Sequence, residues 1–292
     1  MTTADLGGAP GRTMPRWLRL SWLMGPGFVL VVLPFLGAMI MLAAYSLNYR
    51  DDNGMGLGGS IWREFLTDPF SWQVLWNSVR IAGLATIFTL IVAYPTAAAL
   101  LKVRNRTWRT LAYVALFSPL LMSVVSRSYG WLLLLSDNGF VNQMFGALGL
   151  GPYRLIFNET GVIIAIVHVI LPYAVLPILN IMTQVPPIYG EAAKDLGAGG
   201  WALFRRVTLP LTLPGVIVAA EIVFALSISA FVTPSLLGGG RVLTLSRLVY
   251  DNIGLVEWGL AAVQAIVLLA TALAALFVLE RMNRATHAGK GD

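Results

Sequence analysis

Residues 160–190 read TGVIIAIVHVILPYAVLPILNIMTQVPPIYG and contain no charged side chain. A helix needs about 20 predominantly apolar residues to cross the hydrocarbon core of a bilayer, and this stretch exceeds that length. The whole chain shares this character, because 57% of its 292 residues are hydrophobic and only 12% are charged. A soluble domain of this size averages about 25% charged residues and could not bury so much apolar surface. The sequence therefore predicts an all-α integral membrane protein.

Five further apolar stretches lie on either side of this one. They cover residues 20–49, 81–101, 111–126, 214–240 and 258–279. We predict six transmembrane helices, of which the third either ends near Arg127 or continues past Trp131 as a kinked helix. The first stretch is far longer than the apolar region of about 7–15 residues in a signal peptide, so we expect it to be retained as a helix.

The distribution of Lys and Arg predicts the orientation. With a cytoplasmic N-terminus, the inner segments hold 13 of these residues and the outer segments hold 7. Because cytoplasmic loops carry the excess of positive charge, we predict that both termini are cytoplasmic. The predicted order is a cytoplasmic tail at 1–19, with a disordered start at 1–15, a first transmembrane helix at 20–49, an outer loop at 50–71, a five-helix core at 72–282 and a cytoplasmic tail at 283–292.

The cytoplasmic loop 186–213 carries the most specific pattern. It contains EAAKDLG at residues 191–197, followed by AGGWALFRRVTLPL. Prolines before Glu191 and an acid in the first turn favour a helix start, and Gly197 favours a helix end. We expect a second amphipathic turn over residues 201–206, ended by Pro210 and Pro214 before the fifth span. The loop is thus predicted to be a rigid pair of short helices that projects from the membrane.

This loop resembles the EAA loop of permease subunits of binding-protein-dependent ABC importers. The resemblance covers about residues 72–282 and implies the type I ABC importer permease fold, with a cytoplasmic coupling helix that docks on an ATP-binding subunit. It implies ATPase-coupling roles for the matching positions. These are Glu191, Ala192, Ala193, Leu196, Gly197, Phe204, Leu209 and Pro210. A juxtamembrane helix resting on lipid is the alternative interpretation of the same loop.

Two further segments are similar to the spermidine/putrescine branch of that family. They are RSYGW at residues 127–131, followed by NGFVN at 138–142, and FVTPSLLGGGR at residues 231–241. The candidate pathway or gate residues are Tyr129, Trp131, Phe231, Thr233 and Glu221. Tyr129 and Trp131 are either interfacial aromatics or stacking partners for a cation. Arg127 with Asp137 forms either an outer gate or a plain salt bridge.

Two ionisable side chains lie inside predicted spans, and each allows two interpretations. Glu221 either lines a cation pathway or pairs with Arg205, Arg206 or a group of a partner chain, and we favour the pairing. His168 either makes a hydrogen bond between helices in its neutral form or takes part in proton or substrate transfer. No metal-ligand spacing and no hydrolase motif is present in the sequence.

The resemblance implies a transporter subunit and not an enzyme. Cysteine is absent and no P-loop is present in the sequence, so we expect this chain to bind no cofactor, with ATP and Mg on the partner ATPase. The implied partners are a second permease chain, expected to differ from this one, two ATP-binding subunits, a soluble extracytoplasmic substrate-binding protein and the bacterial inner membrane, but no nucleic acid. The outer loop 50–71 either contacts the binding protein or is simply solvated.

The expected solute is a polyamine such as putrescine or spermidine, or another small solute such as an amino acid or an opine. A secondary transporter or channel is the alternative from a different class.

Overall fold

A computed structural model describes the backbone of residues 16–51 and 54–288, with side chains described for residues 27–47 and 58–282. The predicted disordered start at residues 1–15 lies outside the described residues, as does the end of the predicted C-terminal tail from residue 289. The chain divides into two compact units, residues 1–45 and 46–292. The first unit consists, where it is described, of most of helix α1 (Arg16–Leu47). This helix is long and apolar enough to cross a membrane, as predicted for the first span.

The second unit begins with a short segment that the sequence predicted only as an outer loop. Strands β1 (Asn48–Asp51) and β2 (Gly54–Leu57) form an antiparallel hairpin. Helix α2 (Ser60–Thr67) follows, and α3 (Pro69–Lys102) begins directly after it. The predicted loop therefore contains regular structure, and the second span starts earlier than its uncharged stretch.

A single side chain explains why α3 begins at Pro69. The carboxylate of Asp68 accepts hydrogen bonds from the backbone N–H groups of Phe70 and Ser71, at 3.1 and 3.0 Å. These are amide groups that the first turn of a helix leaves without partners. Proline at the first helical position loses no hydrogen bond, because an N–H group at that position would have no acceptor within the helix.

Three long helices form the centre of the second unit. Helices α3, α7 (Glu159–Gln184) and α10 (Leu209–Ser229) pack against one another. Their contact surfaces are rich in small residues that are fully or almost fully buried, including Ala85, Ala93, Ala97, Ala165, Ala174 and Ala219. Lipid tails are as apolar as leucine, so close backbone approach through small residues stabilises such helix pairs. An ion pair between Arg80 and Glu159 also joins α3 to α7.

The third span is broken. Helix α4 (Arg106–Phe117) runs into a 3-10 turn at Ser118–Leu121, and helix α5 (Val124–Leu135) resumes after Met122 and Ser123. Helix α6 (Phe140–Ala147) follows, and the two halves of this span are bent by 107°. Of the two alternatives for the third span, the structure therefore has a continuation past Trp131, but with a sharp break and not a kink. Pro119 lies in the turn, where a proline cannot extend the hydrogen-bonded ladder of a helix.

The remaining helices complete the bundle. Short helices α8 (Ile188–Asp195) and α9 (Gly200–Leu203) precede α10, and α11 (Val232–Leu237) and α12 (Leu245–Gly254) follow it. Helix α13 (Trp258–Ala288) ends the described chain. Among the described residues, five helices are long and apolar enough to span a membrane, and the bent third span makes a sixth. The predicted all-α class with six spans is confirmed, with the β-hairpin as an addition.

Candidate functional site

The loop between the fourth and fifth spans contains a short helix with a defined end. Helix α8 ends where Gly197 adopts a φ of 82°. The amide of Gly197 donates to the carbonyl of Lys194 at 2.8 Å, and the amide of Ala198 donates to the carbonyl of Ala193 at 2.9 Å. This is the Schellman pattern, in which glycine supplies the left-handed conformation. The predicted helix end at Gly197 is confirmed.

The same loop exposes large apolar side chains. Leu196 is 89% exposed and Trp201 is 71% exposed. Ile188 and Tyr189 in the first turn of α8 are also exposed, beside an exposed Glu191. Large exposed apolar surface rimmed by charge is typical of a protein–protein contact. Of the remaining predicted coupling residues, Ala192 is exposed, while Ala193 and Leu209 are half-buried.

The junction between α9 and α10 differs from the prediction. Residues Phe204–Thr208 form a π-helical turn that continues into α10, so Pro210 lies in the first turn of α10 and Pro214 lies inside it. The predicted break at these prolines is wrong. A π-helical turn shifts the hydrogen-bond register by one residue, and the amide of Leu209 donates to the carbonyl of Phe204. This shift accommodates Pro210, which has no N–H to donate.

Phe204 connects this junction to the helix core. Its ring lies edge-on to Tyr94 of α3, with centroids 5.5 Å apart, and 5.4 Å from the ring of Trp201. The Tyr94 hydroxyl lies 2.9 Å from the hydroxyl of Thr212 in α10. The exposed loop is therefore connected to α3 and α10 by packed rings and a hydrogen bond.

A cavity of about 330 Å³ lies beside the break in the third span. Two of the predicted pathway residues, Phe231 and Thr233, line it together with Arg127. Phe231 also stacks on Tyr250 of α12, with centroids 4.8 Å apart. The structure thus brings together residues that are more than 100 positions apart in the sequence.

Arg127 lines this cavity, a position that the sequence prediction did not identify. It is 7% exposed, and one of its terminal nitrogens donates to the carbonyl of Pro119. Its Nε has no hydrogen-bond partner among the described residues. The predicted pair with Asp137 is not formed, because the ion pairs in the described part of the chain are Arg80–Glu159 and Arg247–Asp251. The available signal was a single arginine between two apolar stretches of one span.

Tyr129 and Trp131 do not line this cavity. Tyr129 is 53% exposed. Trp131 is half-buried, and its indole N–H donates to Nδ1 of His168 at 3.2 Å. Because Nδ1 accepts this bond, it carries no proton in this structure. The contact supports the interpretation of His168 as a neutral group that joins two helices.

Glu221 does not make the pairing that we favoured from the sequence. Neither ion pair among the described residues includes it, so no pair with Arg205 or Arg206 is formed. The residue is half-exposed, its Oε1 is buried, and this oxygen has no hydrogen-bond partner in the described part of the chain. It interacts electrostatically with Glu280 of α13. Among the described residues, no cation lies within ion-pairing distance of this carboxylate.

Comparison with known proteins gives consistent results at the level of sequence and of fold. Residues 84–286 match the family described as "Binding-protein-dependent transport system inner membrane component". The chain is 32% identical over 222 residues to the spermidine/putrescine transport system permease protein PotB of Haemophilus influenzae, which covers 75% of this chain and 77% of that protein. It is 31% identical to PotB of Escherichia coli, over 75% of this chain and 80% of that protein.

The structural similarity extends over more of the chain. A bacterial alginate ABC transporter, solved in complex with an alginate-bound periplasmic protein, has a chain that superposes with a TM-score of 0.76 at 18% identity. The match covers 92% of this chain and 96% of that chain. At this level of identity the likeness concerns the fold alone.

Proposed function

Because the chain belongs to the family of binding-protein-dependent transport system inner membrane components, we propose that it forms one transmembrane half of an ABC importer for a small amine of the polyamine type. The permease assignment rests on the family, and the solute on the relatives, whose names specify spermidine and putrescine. The secondary transporter and the channel are set aside by the family membership. An amino acid or an opine is the alternative solute within the same class.

The loop 186–213 is the proposed contact with an ATP-binding subunit. The single observation that carries this role is the pair of exposed side chains Leu196, at the Schellman end of α8, and Trp201, in the adjoining α9. A rigid element with an apolar face docks more favourably than a flexible loop, because it loses little conformational entropy on docking. We assign Glu191 a charge-assisted hydrogen bond with the ATPase subunit. ATP and Mg would be bound by that subunit and not by this chain.

The charge distribution supports a cytoplasmic location for this loop. It lies on the same side as both termini when the 13 Lys and Arg of the inner segments face the cytoplasm. A second permease chain, two ATP-binding subunits and an extracytoplasmic binding protein complete the proposed importer. Closure of the ATPase dimer would then move the loop and swing the helix bundles between inward-open and outward-open states.

The proposed function is tested on the reconstituted complex of both permeases, the ATPase subunits and the binding protein. We expect ATP hydrolysis to rise when the binding protein is loaded with putrescine or spermidine. Glu191→Ala should reduce this stimulation strongly, whereas Glu257→Ala, an exposed acid on the predicted outer side, should not. A complex that hydrolyses ATP but takes up no amine would contradict the proposed solute. Failure of the chain to bind any ATPase subunit would contradict the proposed coupling.

A further inference from the structure

The short connection between α3 and α4 carries a dense group of positive charges. Lys102, Arg104, Arg106 and Arg109 are all exposed, and residues 69–136 contain no Asp or Glu that could balance them in sequence. The two ion pairs in the described part of the chain, Arg80–Glu159 and Arg247–Asp251, include none of these four cations. We refer to the four side chains as the α3–α4 basic cluster.

The cluster lies at a membrane surface, because two membrane-crossing segments meet there. Helices α3 and α4 are separated by residues 103–105 only, and both belong to segments that are apolar and long enough to form a span, α4 as the first half of the broken one. The Asn105 side chain accepts hydrogen bonds from the amides of Thr107 and Trp108, at 2.9 and 3.4 Å, and this cap fixes the start of α4. The cations are therefore held at the level of the lipid headgroups, on the side predicted to be cytoplasmic.

This arrangement is electrostatically unfavourable without an external anion. Arg106 and Arg109 are three residues apart at the start of α4, where like charges repel and where the helix dipole disfavours cations. The preference for positive charge on the cytoplasmic side explains the sign of the cluster, but acids contribute little to that preference and would be tolerated. The loop 186–213, on the same predicted side, does mix Glu191 and Asp195 with Lys194.

An exposed apolar row runs from the cluster along α4. Trp108 is 67% exposed, and Leu111 and Val114, which follow at intervals of three residues, are exposed as well. Tryptophan is enriched at the headgroup level of membranes, and aliphatic side chains suit the acyl chains below it. A soluble anion would use the charges but not this row, whereas a phospholipid uses both.

We infer that the α3–α4 basic cluster binds the headgroup phosphate of an acidic phospholipid, with an acyl chain packed along Trp108, Leu111 and Val114. A guanidinium donates two parallel hydrogen bonds to phosphate oxygens, and the cluster offers three such groups. Four or more Lys and Arg next to the cytoplasmic end of a span are typical of acidic-lipid binding. This interaction goes beyond the proposed function and does not depend on which solute is transported.

Competition between two lipids tests the inference on the purified importer complex. The complex is mixed in detergent with equal amounts of phosphatidylglycerol and phosphatidylcholine that have identical acyl chains, and native mass spectrometry counts each bound lipid. We expect phosphatidylglycerol to be retained preferentially. Each cation near an acidic lipid surface contributes about fivefold in affinity, so Arg106→Gln combined with Arg109→Gln should lower the ratio of the two lipids by roughly 25-fold. Arg106→Lys combined with Arg109→Lys keeps the charges and should keep most of the preference.

Two arginines elsewhere provide the matched control. Arg154 and Arg241 are exposed and lie on the predicted outer side, so Arg154→Gln combined with Arg241→Gln removes the same charge from outside the cluster. This variant should leave the lipid ratio unchanged. Because both lipids compete for the same molecules, a loss of stability in any variant cancels from the ratio.

Three results would overturn the inference. They are equal retention of the two lipids by the parent, a ratio that survives Arg106→Gln with Arg109→Gln, and an equal fall in the control variant. If the cluster variant keeps its lipid ratio but loses its ATPase subunits, the cluster contacts an acidic protein surface and not a lipid. Solute uptake does not enter the measurement, so the proposed function and this inference fail separately.

Discussion

Substitution of Gly197 by alanine isolates the contribution of the helix end in the proposed coupling loop. Gly197 has a φ of 82°, and an alanine Cβ at this position would meet no heavy atom within 4 Å. The substitution therefore costs only the left-handed conformation, about 1–2 kcal/mol for a residue with a side chain. That energy shifts the balance between the native helix end and frayed alternatives by a factor of about 5–30.

Gly190 provides the matched control. It lies inside α8, and its alanine Cβ would also meet nothing within 4 Å. Alanine is favoured over glycine by roughly 0.5–1 kcal/mol within a helix, so Gly190→Ala should strengthen the same helix. The two substitutions add the same methyl group and have opposite expected effects.

The assay is ATP hydrolysis by the reconstituted complex, stimulated by the loaded binding protein. We expect Gly197→Ala to lower the stimulated rate several-fold while the amounts of copurified subunits stay unchanged. Gly190→Ala should retain the parental rate. Parental stimulation in Gly197→Ala would refute the argument that a fixed end of α8 is needed for coupling.

Three further predictions concern charged groups elsewhere in the second unit. Glu221→Gln should lower solute uptake if Glu221 lines the pathway. Assembly and melting temperature should stay unchanged, because the carboxylate has no ion-pair partner among the described residues to lose. Normal uptake would exclude Glu221 from the pathway. Hydrogen bonds from the Ser71 side chain and the Phe70 amide hold the pKa of Asp68 below its ordinary value, so this cap stabilises α3 above the ordinary pKa and is lost as the pH falls through the lowered one. Melting temperatures should therefore fall on acidification more steeply for the parent than for Asp68→Asn, and equal slopes would contradict this. Arg80→Glu should destabilise the complex by about 0.5–1 kcal/mol, a modest amount because the ion pair with Glu159 is partly exposed. The double exchange with Glu159→Arg should restore the stability. A melting temperature that the single change leaves unaltered would count against the ion pair.

The sequence predicted the features that depend on local chemistry. Uncharged length predicted the number and approximate positions of the spans, because a helix satisfies all the backbone polar groups of a segment within lipid. The end of α8 was equally local, since Gly197 is the residue type that best tolerates a positive φ.

Features that depend on tertiary packing were not predictable in the same way. The break at Met122 and Ser123 lies within an apolar stretch, and apolar periodicity alone does not specify a bend of 107°. The prolines at 210 and 214 suggested a helix end, but a π-helical turn absorbs the missing donor of the first one. This turn packs against α3 through Phe204 and Tyr94. No local sequence pattern predicts this contact.

The surroundings of the charged groups were the part of the structure that the sequence predicted least well. Pairing of Glu221 with Arg205 or Arg206 was reasonable on sequence distance, but the described structure does not form it. The cavity around Arg127 requires Phe231 and Thr233 from a segment about one hundred residues away. Such juxtapositions arise from the packing of α5 against α11 and have no signature in one sequence.

Site-specific cross-linking tests most directly whether the loop 186–213 contacts an ATPase subunit. The chain contains no cysteine, so single-cysteine variants need no altered background. Leu196→Cys places a thiol at a side chain that is 89% exposed, and Leu255→Cys places one at a side chain that is 71% exposed on the predicted outer side. In membranes that contain the whole importer, we predict that Leu196→Cys cross-links to the ATPase subunit with a yield that changes on ATP binding, while Leu255→Cys does not. Absence of a cross-link at Leu196→Cys, or a cross-link to the ATPase from Leu255→Cys instead, would contradict the coupling role and the orientation.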